Sequence, residues 1–326
     1  MPNDWQPVCS IEILRLRAQV FDDIRRFFSA RGVLEVETPL LGHGSGTDPQ
    51  LDFFTTDYCS PQLQHTMFLQ TSPEFAMKRL LASGSGSIYQ LCKAFRNGES
   101  GRFHNPEFTL LEWYRVGFTL PQLMDEIAEL MAVLFNGHRV LNPVQRFSYQ
   151  DIFQRLTGLN PLEFSYQDYC AYARGNQMPE AASICGYDHG LWLDFIFSHN
   201  VQPQLGENAV CMVYGYPACQ SSLAAVNEYN SQITDRVEVF INGIELGNGY
   251  YELTDAKEQD RRFDEEMSIR QQRKRPLPVK DKRLIAAMEA GLPVCSGMAI
   301  GLDRLLMLLT NSASIDDVLT FPINRA

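Results

Sequence analysis

Phe95-Arg96-Asn97-Gly98-Glu99-Ser100-Gly101-Arg102-Phe103-His104-Asn105-Pro106-Glu107-Phe108 gathers two arginines, a histidine and two glutamates into one short, glycine-containing loop. The loop ends on an aromatic residue and runs into an apolar-acidic stretch from Thr109 to Tyr114. Guanidinium forks on a tightly folding loop can hold a polyphosphate, because they match phosphate oxygens in pairs. Taken singly, each arginine is more often a surface ion pair.

Working outward, 326 residues with 45% hydrophobic content can bury a large core, as one large domain or two average ones. A formal net charge of −11 argues against strong non-specific binding to nucleic acid, which relies on Lys and Arg neutralising phosphates. Residues 1–10 carry neither a basic start nor an apolar run, and no stretch approaches the roughly 20 apolar residues of a membrane span. A cytoplasmic location without membrane attachment is expected. Cys9, Cys59, Cys92, Cys170, Cys185, Cys211, Cys219 and Cys295 form no C-x-x-C pair and read as buried thiols of a reducing compartment.

Ile13, Leu16, Val20, Phe21, Ile24, Phe27 and Phe28 recur at helical spacing, with Gly32 where a C-terminal cap would sit. Residues 32–41 read as a short strand closed by Pro39. Thr119 and Pro121 open a second helix that closes near Gly137. Residues 141–206 are less regular, with helical pieces at 149–156 and 191–197, and read as an insertion within one domain spanning 1–326. Val210 to Tyr216 is a short strand. Residues 255–274 are highly charged and helical, consistent with a solvated face. Residues 297–309 read as strand, glycine-assisted turn and apolar helix.

Asn242-Gly243 between two β-rich runs is the clearest hairpin signal in the chain. A two-residue turn there sets Phe240 opposite Glu245 and puts Glu238 on the face of Phe240, making the two glutamates diagonal neighbours. Such a pair can share one hard cation, Mg²⁺ bridged to phosphates being a sensible partner. Two exposed glutamates on a solvent face are the alternative.

Together these segments resemble the class II aminoacyl-tRNA synthetases, in particular the lysine, aspartate and asparagine subgroup. Residues 32–41 resemble its motif 1, residues 95–108 its motif 2 and residues 297–309 its motif 3, and residues 243–253 closely resemble the strand bearing the Mg²⁺ and amino-acid contacts of lysyl-tRNA synthetases. The resemblance implies an α+β fold, a mostly antiparallel sheet flanked by helices, and a homodimer through motif 1. It implies that Arg96, Arg304 and Glu245 are catalytic and that ATP is held by Arg96, Asn97, Gly98, Asn105, Phe108, Glu245, Leu246, Gly301 and Arg304. In that scheme Phe108 stacks on adenine, and Glu238 with Glu245 holds the metal. Ser72, Pro73, Glu74, Tyr114, Glu252 and Ala299 line the amino-acid pocket. Glu252 with Tyr114 would select a lysine-like ε-ammonium, while Glu74 with Ser72 would receive the other amino group. Where the family generally has glutamate two residues after the motif 2 arginine, this chain has Gly98 followed by Glu99. His104 is a further candidate for contact with acceptor or phosphate.

Motif 1 begins within about 40 residues of Met1, and no N-terminal anticodon-binding β-barrel is expected. A lysyl-type catalytic domain of this length resembles the elongation factor P ligases of the same family, which transfer (R)-β-lysine to a lysine side chain. Those ligases also carry alanine where lysyl-tRNA synthetases usually have glycine, here Ala299. Its methyl group would disfavour α-lysine and leave room for a β-amino acid. ATP, Mg²⁺, (R)-β-lysine and elongation factor P are therefore the expected ligands and partner, and tRNA is not expected as acceptor. The alternatives are a minimal enzyme charging tRNA with α-lysine and a non-catalytic amino-acid-binding paralogue.

Overall fold

Residues 5–60 and 63–326 are described by a computed structural model, in which the chain divides into two units, Met1–Phe118 with Thr254–Ala326, and Thr119–Leu253. Residues 1–4, part of the stretch read above for a leader, lie outside the described residues.

The first unit opens with α1 (Ile11–Ser29), started by Ser10, whose hydroxyl accepts the Ile13 N–H, and buried along Val20, Ile24, Phe27 and Phe28. Its cap lies earlier than the expected Gly32: the Ala30 N–H closes on Arg26, and Gly32, at φ +65°, turns the chain two residues later. The strand expected over 32–41 shrinks to β1 (Leu34–Glu35), because Pro39 has no N–H to pair and Thr38 turns its hydroxyl to Gln90 instead. Then come β2 (Leu41–Gly42), β3 (Thr55–Ser60), β4 (Leu63–Leu69), α2 (Glu74–Ala82), β5 (Ile88–Phe95) and β6 (Glu107–Val116).

The second unit holds α3 (Leu120–Phe135), β7 (Asn142–Ser148), α4 (Tyr149–Thr157), α5 (Tyr166–Gly175), α6 (Ala181–Cys185), α7 (His189–Ile196), β8 (Ala209–Pro217), β9 (Ile233–Ile241) and β10 (Ile244–Tyr251). A capping box between Thr119 and Gln122 starts α3. The region read as a loose insertion is better ordered than its sequence suggests. α5 and α6 were not anticipated there, and Tyr149, Phe153, Trp192 and Phe197 form a core against Val213 of β8 and Phe240 of β9. In this unit β10, β9, β8 and β7 are neighbours in that order, antiparallel except for the parallel β7–β8 pair.

The chain then returns to the first unit with α8 (Ala256–Gln272), α9 (Lys282–Gly291), β11 (Cys295–Gly301) and α10 (Leu302–Thr310). Here the order is β1, β5, β6, β11, with only β1–β5 parallel, and β2, β4 and β3 form a separate small sheet. The class is α+β with mostly antiparallel pairing. Tyr89 and Trp113 turn one face of these strands to Phe28 of α1, at ring distances of 4.6 and 5.4 Å. The period of two then sends Gln90, Glu112 and Tyr114 to the other face.

Two expectations change. α8 is not simply a solvated helix, since Gln259, Arg262 and Arg270 are buried. Of the eight cysteines, all free, Cys59 and Cys219 are exposed and Cys92 is half-buried. No helix among the described residues is long and apolar enough to cross a membrane.

Candidate active site

The β5–β6 hairpin presents the loop that opened the sequence reading. Its ends are clamped by the Arg96 N–H on the Pro106 carbonyl at 2.9 Å, and its tip by reciprocal bonds between Gly101 and His104. Arg96 has its guanidinium 5.0 Å from the centre of the Phe108 ring, and its Nε is buried with no hydrogen-bond partner among the described residues. A buried donor without an acceptor is costly, and an anionic ligand would satisfy it. Gly98 sits at φ +82°, where glycine is at ease, and the turn carries Glu99 to within 3.9 Å of Arg96. Asn105 is buried with both amide ends engaged: its Nδ2 donates to the Glu107 carbonyl, and its Oδ1 accepts the Ile323 N–H. It thereby pins the loop to the C-terminal segment.

Arg304, in the first turn of α10 behind its N-cap Gly301, reaches the same loop. It donates through Nε to the Phe103 carbonyl at 3.1 Å and through Nη2 to His104 Nε2 at 2.6 Å. Because arginine only donates, the His104 proton belongs on Nδ1. The preceding residue, Asp303, is buried and accepts from Arg17 and from the Thr109 N–H, which fixes the start of α10 against β6 and α1.

A second cluster lies on the face opened by β6 and β11. Glu112 is 2% exposed and takes one hydroxyl on each carboxylate oxygen, Ser72 at 2.8 Å and Tyr114 at 2.7 Å. Ser72 also accepts the Glu74 N–H, and Pro73 is the N-cap of α2. Glu74 lies 2.6 Å from the buried Lys78 ammonium, one turn along the helix. Ala299 pairs directly with Glu112 across the β6–β11 ladder, so its methyl group stands beside the carboxylate. Sequence reasoning missed Glu112, although it is the acid at the parity of Tyr114 within an apolar run. Within this unit the carboxylate bonded to the Tyr114 hydroxyl is Glu112.

In the second unit, Asn242 and Gly243 at φ +51° and +71° make the two-residue turn, and Glu245 pairs with Phe240 as the hairpin reading required. A bulge at Leu246 then shifts the register, so that Asn248 becomes the partner of Glu238. Glu238 accepts from Tyr216 at 2.6 Å and from Arg236 at 2.5 Å. Burial pushes its carboxyl up to about 7 against the pull of Arg236, and the nearby charge of Glu245 pushes the same way. Burial alone would disfavour the charge on Arg236, but Glu238 keeps it firmly protonated. The described residues hold no cluster of three metal-ligating side chains. Two neighbouring carboxylates without a third ligand fit a hard cation that takes its remaining oxygens from phosphates and water. A cation drawing on Glu238 would share it with Tyr216 and Arg236. Glu252, just beyond β10, is buried in this unit. Asn248, also missed, donates to the Tyr250 hydroxyl while its buried Oδ1 has no partner among the described residues.

The family model for class II tRNA synthetases (D, K and N) matches residues 8–325. Curated relatives align along nearly the whole chain. An elongation factor P–(R)-β-lysine ligase of Haemophilus ducreyi is 42% identical over 327 residues, covering 99% of this chain and 97% of its own. Ligases of the same name from Mannheimia succiniciproducens and Vibrio vulnificus are 43% and 44% identical, each across 99% of this chain and 98% and 99% of their own. The arginine-bearing hairpin, the helix that returns Arg304 to it and the alignment along the full chain make this protein a member of the class II tRNA synthetase family, in the branch that contains the aspartate, lysine and asparagine enzymes.

Proposed function

We propose that this chain activates (R)-β-lysine with ATP and transfers it to the ε-amino group of a lysine on elongation factor P. The observation that carries the reading is the pairing of Ala299 with the buried Glu112. Each Glu112 oxygen accepts one hydroxyl, and a buried carboxylate is the group that suits a substrate ammonium. The neighbouring methyl narrows the face where an α-amino group would lie, which supports a β-amino acid over α-lysine. The acceptor follows the names of the relatives, aligned along 99% of the chain.

In the first step the substrate carboxylate attacks the α-phosphate, forming an acyl-adenylate and releasing pyrophosphate. Arg96, with Nε free for an anion, neutralises charge on the α-phosphate and carboxylate, and Arg304 takes the distal phosphates. The resemblance assigns Asn97, Gly98, Asn105, Phe108, Leu246 and Gly301 to the nucleotide, and Ser72, Pro73, Glu74 and Glu252 to the amino acid. Glu238 and Glu245 would hold Mg²⁺, which supplies charge neutralisation on the phosphates. In the second step the acceptor amine attacks the acyl carbonyl, loses its proton, and AMP leaves. The work is assigned to the cytoplasm and to a homodimer through the motif 1 segment, where Leu34 and Leu41 are exposed. Retention of Arg96, Glu245 and Arg304 weighs against a non-catalytic paralogue.

Pyrophosphate exchange with (R)-β-lysine, α-lysine or no amino acid, followed by mass spectrometry of elongation factor P, tests the reading. Exchange with (R)-β-lysine and a matching mass gain are expected. Preference for α-lysine with no mass gain would reject it. Ala299→Gly should raise α-lysine use relative to β-lysine, and unchanged selectivity would remove the steric account.

A further inference from the structure

α8 ends in a guanidinium that no part of the site uses. Arg270 is fully buried, yet four of its hydrogen bonds are accounted for within the first unit. Its Nε donates to the Pro276 carbonyl at 2.8 Å, its Nη1 to the carbonyls of Asp48 and Leu51 at 2.7 Å each, and its Nη2 to the Asp52 carboxylate at 2.8 Å. The group also lies 5.3 Å from the centre of the Phe53 ring, and Arg275 reaches the other Asp52 oxygen at 3.0 Å. Burying a full charge is expensive, and it persists here only because a single loop, residues 48–53, supplies most of its acceptors.

That loop reaches the chemistry. The Asp52 carbonyl accepts the Asn97 N–H at 2.8 Å, an antiparallel bridge to the residue that follows Arg96. The adjoining Phe95 N–H is held by the Gln70 carbonyl and the Arg96 N–H by that of Pro106, so the backbone around Arg96 is fastened at three successive residues. The loop that makes the bond at Asn97 is a turn, with the Leu51 N–H on the Asp48 carbonyl at 3.3 Å and the Gln50 N–H on the Asp48 carboxylate at 2.7 Å, and Arg270 ties that turn to α8. We infer that Arg270 is a positioning residue for ATP: through residues 48–53 and the Asp52–Asn97 bridge it sets the placement of Arg96 at the α-phosphate. The inference rests on the proposed function, since it assigns Arg96 to ATP. The face carrying Glu112, Tyr114 and Ala299 is reached by other bonds, so of β-lysine only the carboxylate, which Arg96 shares with the α-phosphate, should feel the loss of Arg270.

The test replaces Arg270→Met, which keeps the unbranched stem and removes the guanidinium, and separately Asp52→Asn, which leaves Arg270 and the backbone bridge in place but weakens their tie. In pyrophosphate exchange with (R)-β-lysine, Arg270→Met should lower kcat/KM for ATP by about 10- to 100-fold, the scale of a misplaced catalytic group. Asp52→Asn should lower it by about 3- to 10-fold, a weaker version of the same loss. In both folded variants, β-lysine binding measured by calorimetry without ATP should weaken by less than the loss in kcat/KM for ATP, because only its carboxylate meets Arg96. A kcat/KM for ATP within twofold of the parent in folded Asp52→Asn overturns the inference, as does a loss of β-lysine binding as large as the loss in kcat/KM for ATP. If Arg270→Met does not fold, Asp52→Asn decides alone. Absence of exchange in the unaltered protein would instead reject the functional reading and the inference with it.

Discussion

Glu112 is the residue on which the proposed amino-acid pocket turns. Its carboxylate is buried, bonded on both oxygens and flanked by Ala299. Glu112→Gln keeps the shape and removes the charge. It should lower kcat/KM for β-lysine by about 10- to 100-fold, the worth of a charged hydrogen bond, with ATP binding by calorimetry nearly unchanged. Glu266 on α8 offers a pH signature. It accepts from the Thr47 hydroxyl, and burial pushes its carboxyl from 4.5 up to about 7; Asp48 and Glu74 add to the rise, and Thr47 and Arg262 oppose it. The folded form therefore binds more protons between pH 4.5 and about 7, so stability falls as pH climbs through that window and levels off above it. Since the residue is only half-buried, the loss should be about 1 to 2 kcal/mol. Thermal melts from pH 4.5 to 8 should show that decline in the parent and less of it in Glu266→Gln.

The β9–β10 hairpin shows how an element sets a site through its turn. Asn242 and Gly243 adopt left-handed backbone, and a Cβ at Gly243 would meet the Pro203 Cα at 3.1 Å and the Gln202 carbonyl at 3.2 Å. Gly243→Ala should destabilise the protein by about 1 to 2 kcal/mol through strain and crowding together, read as a lower chemical-denaturation midpoint. The turn and the Glu245–Phe240 pairing were legible because turn chemistry is local. The Leu246 bulge was not: a bulge depends on how the partner strand packs, and it moved Asn248 opposite Glu238. α8 makes the same point. Its charged sequence suggested solvent, but Arg270 finds acceptors more than 200 residues away in sequence.

On the scale of the whole molecule, the motif 1 segment leaves Leu34 and Leu41 exposed, at 55% and 43%, which suits a surface that a second copy covers. Light scattering should return twice the mass of one chain, and Leu34→Asp with Leu41→Asp should shift it toward the single chain. By itself the sequence determined the family and the reaction class, and it named the residues that the proposal uses, apart from Glu112. Arg96 and Arg304 were named by the resemblance of their segments to motifs 2 and 3, while the glutamates of the hairpin were also signalled by a turn that acts within a few residues. Tertiary structure alone decided which groups meet: Arg304 on His104, Tyr114 on Glu112 with Ala299 beside it, Glu238 held by Tyr216 and Arg236, and Arg270 behind the loop at Asp52. Those contacts depend on strand register and on the search of a buried charge for acceptors, and both are settled by packing between segments far apart in the chain.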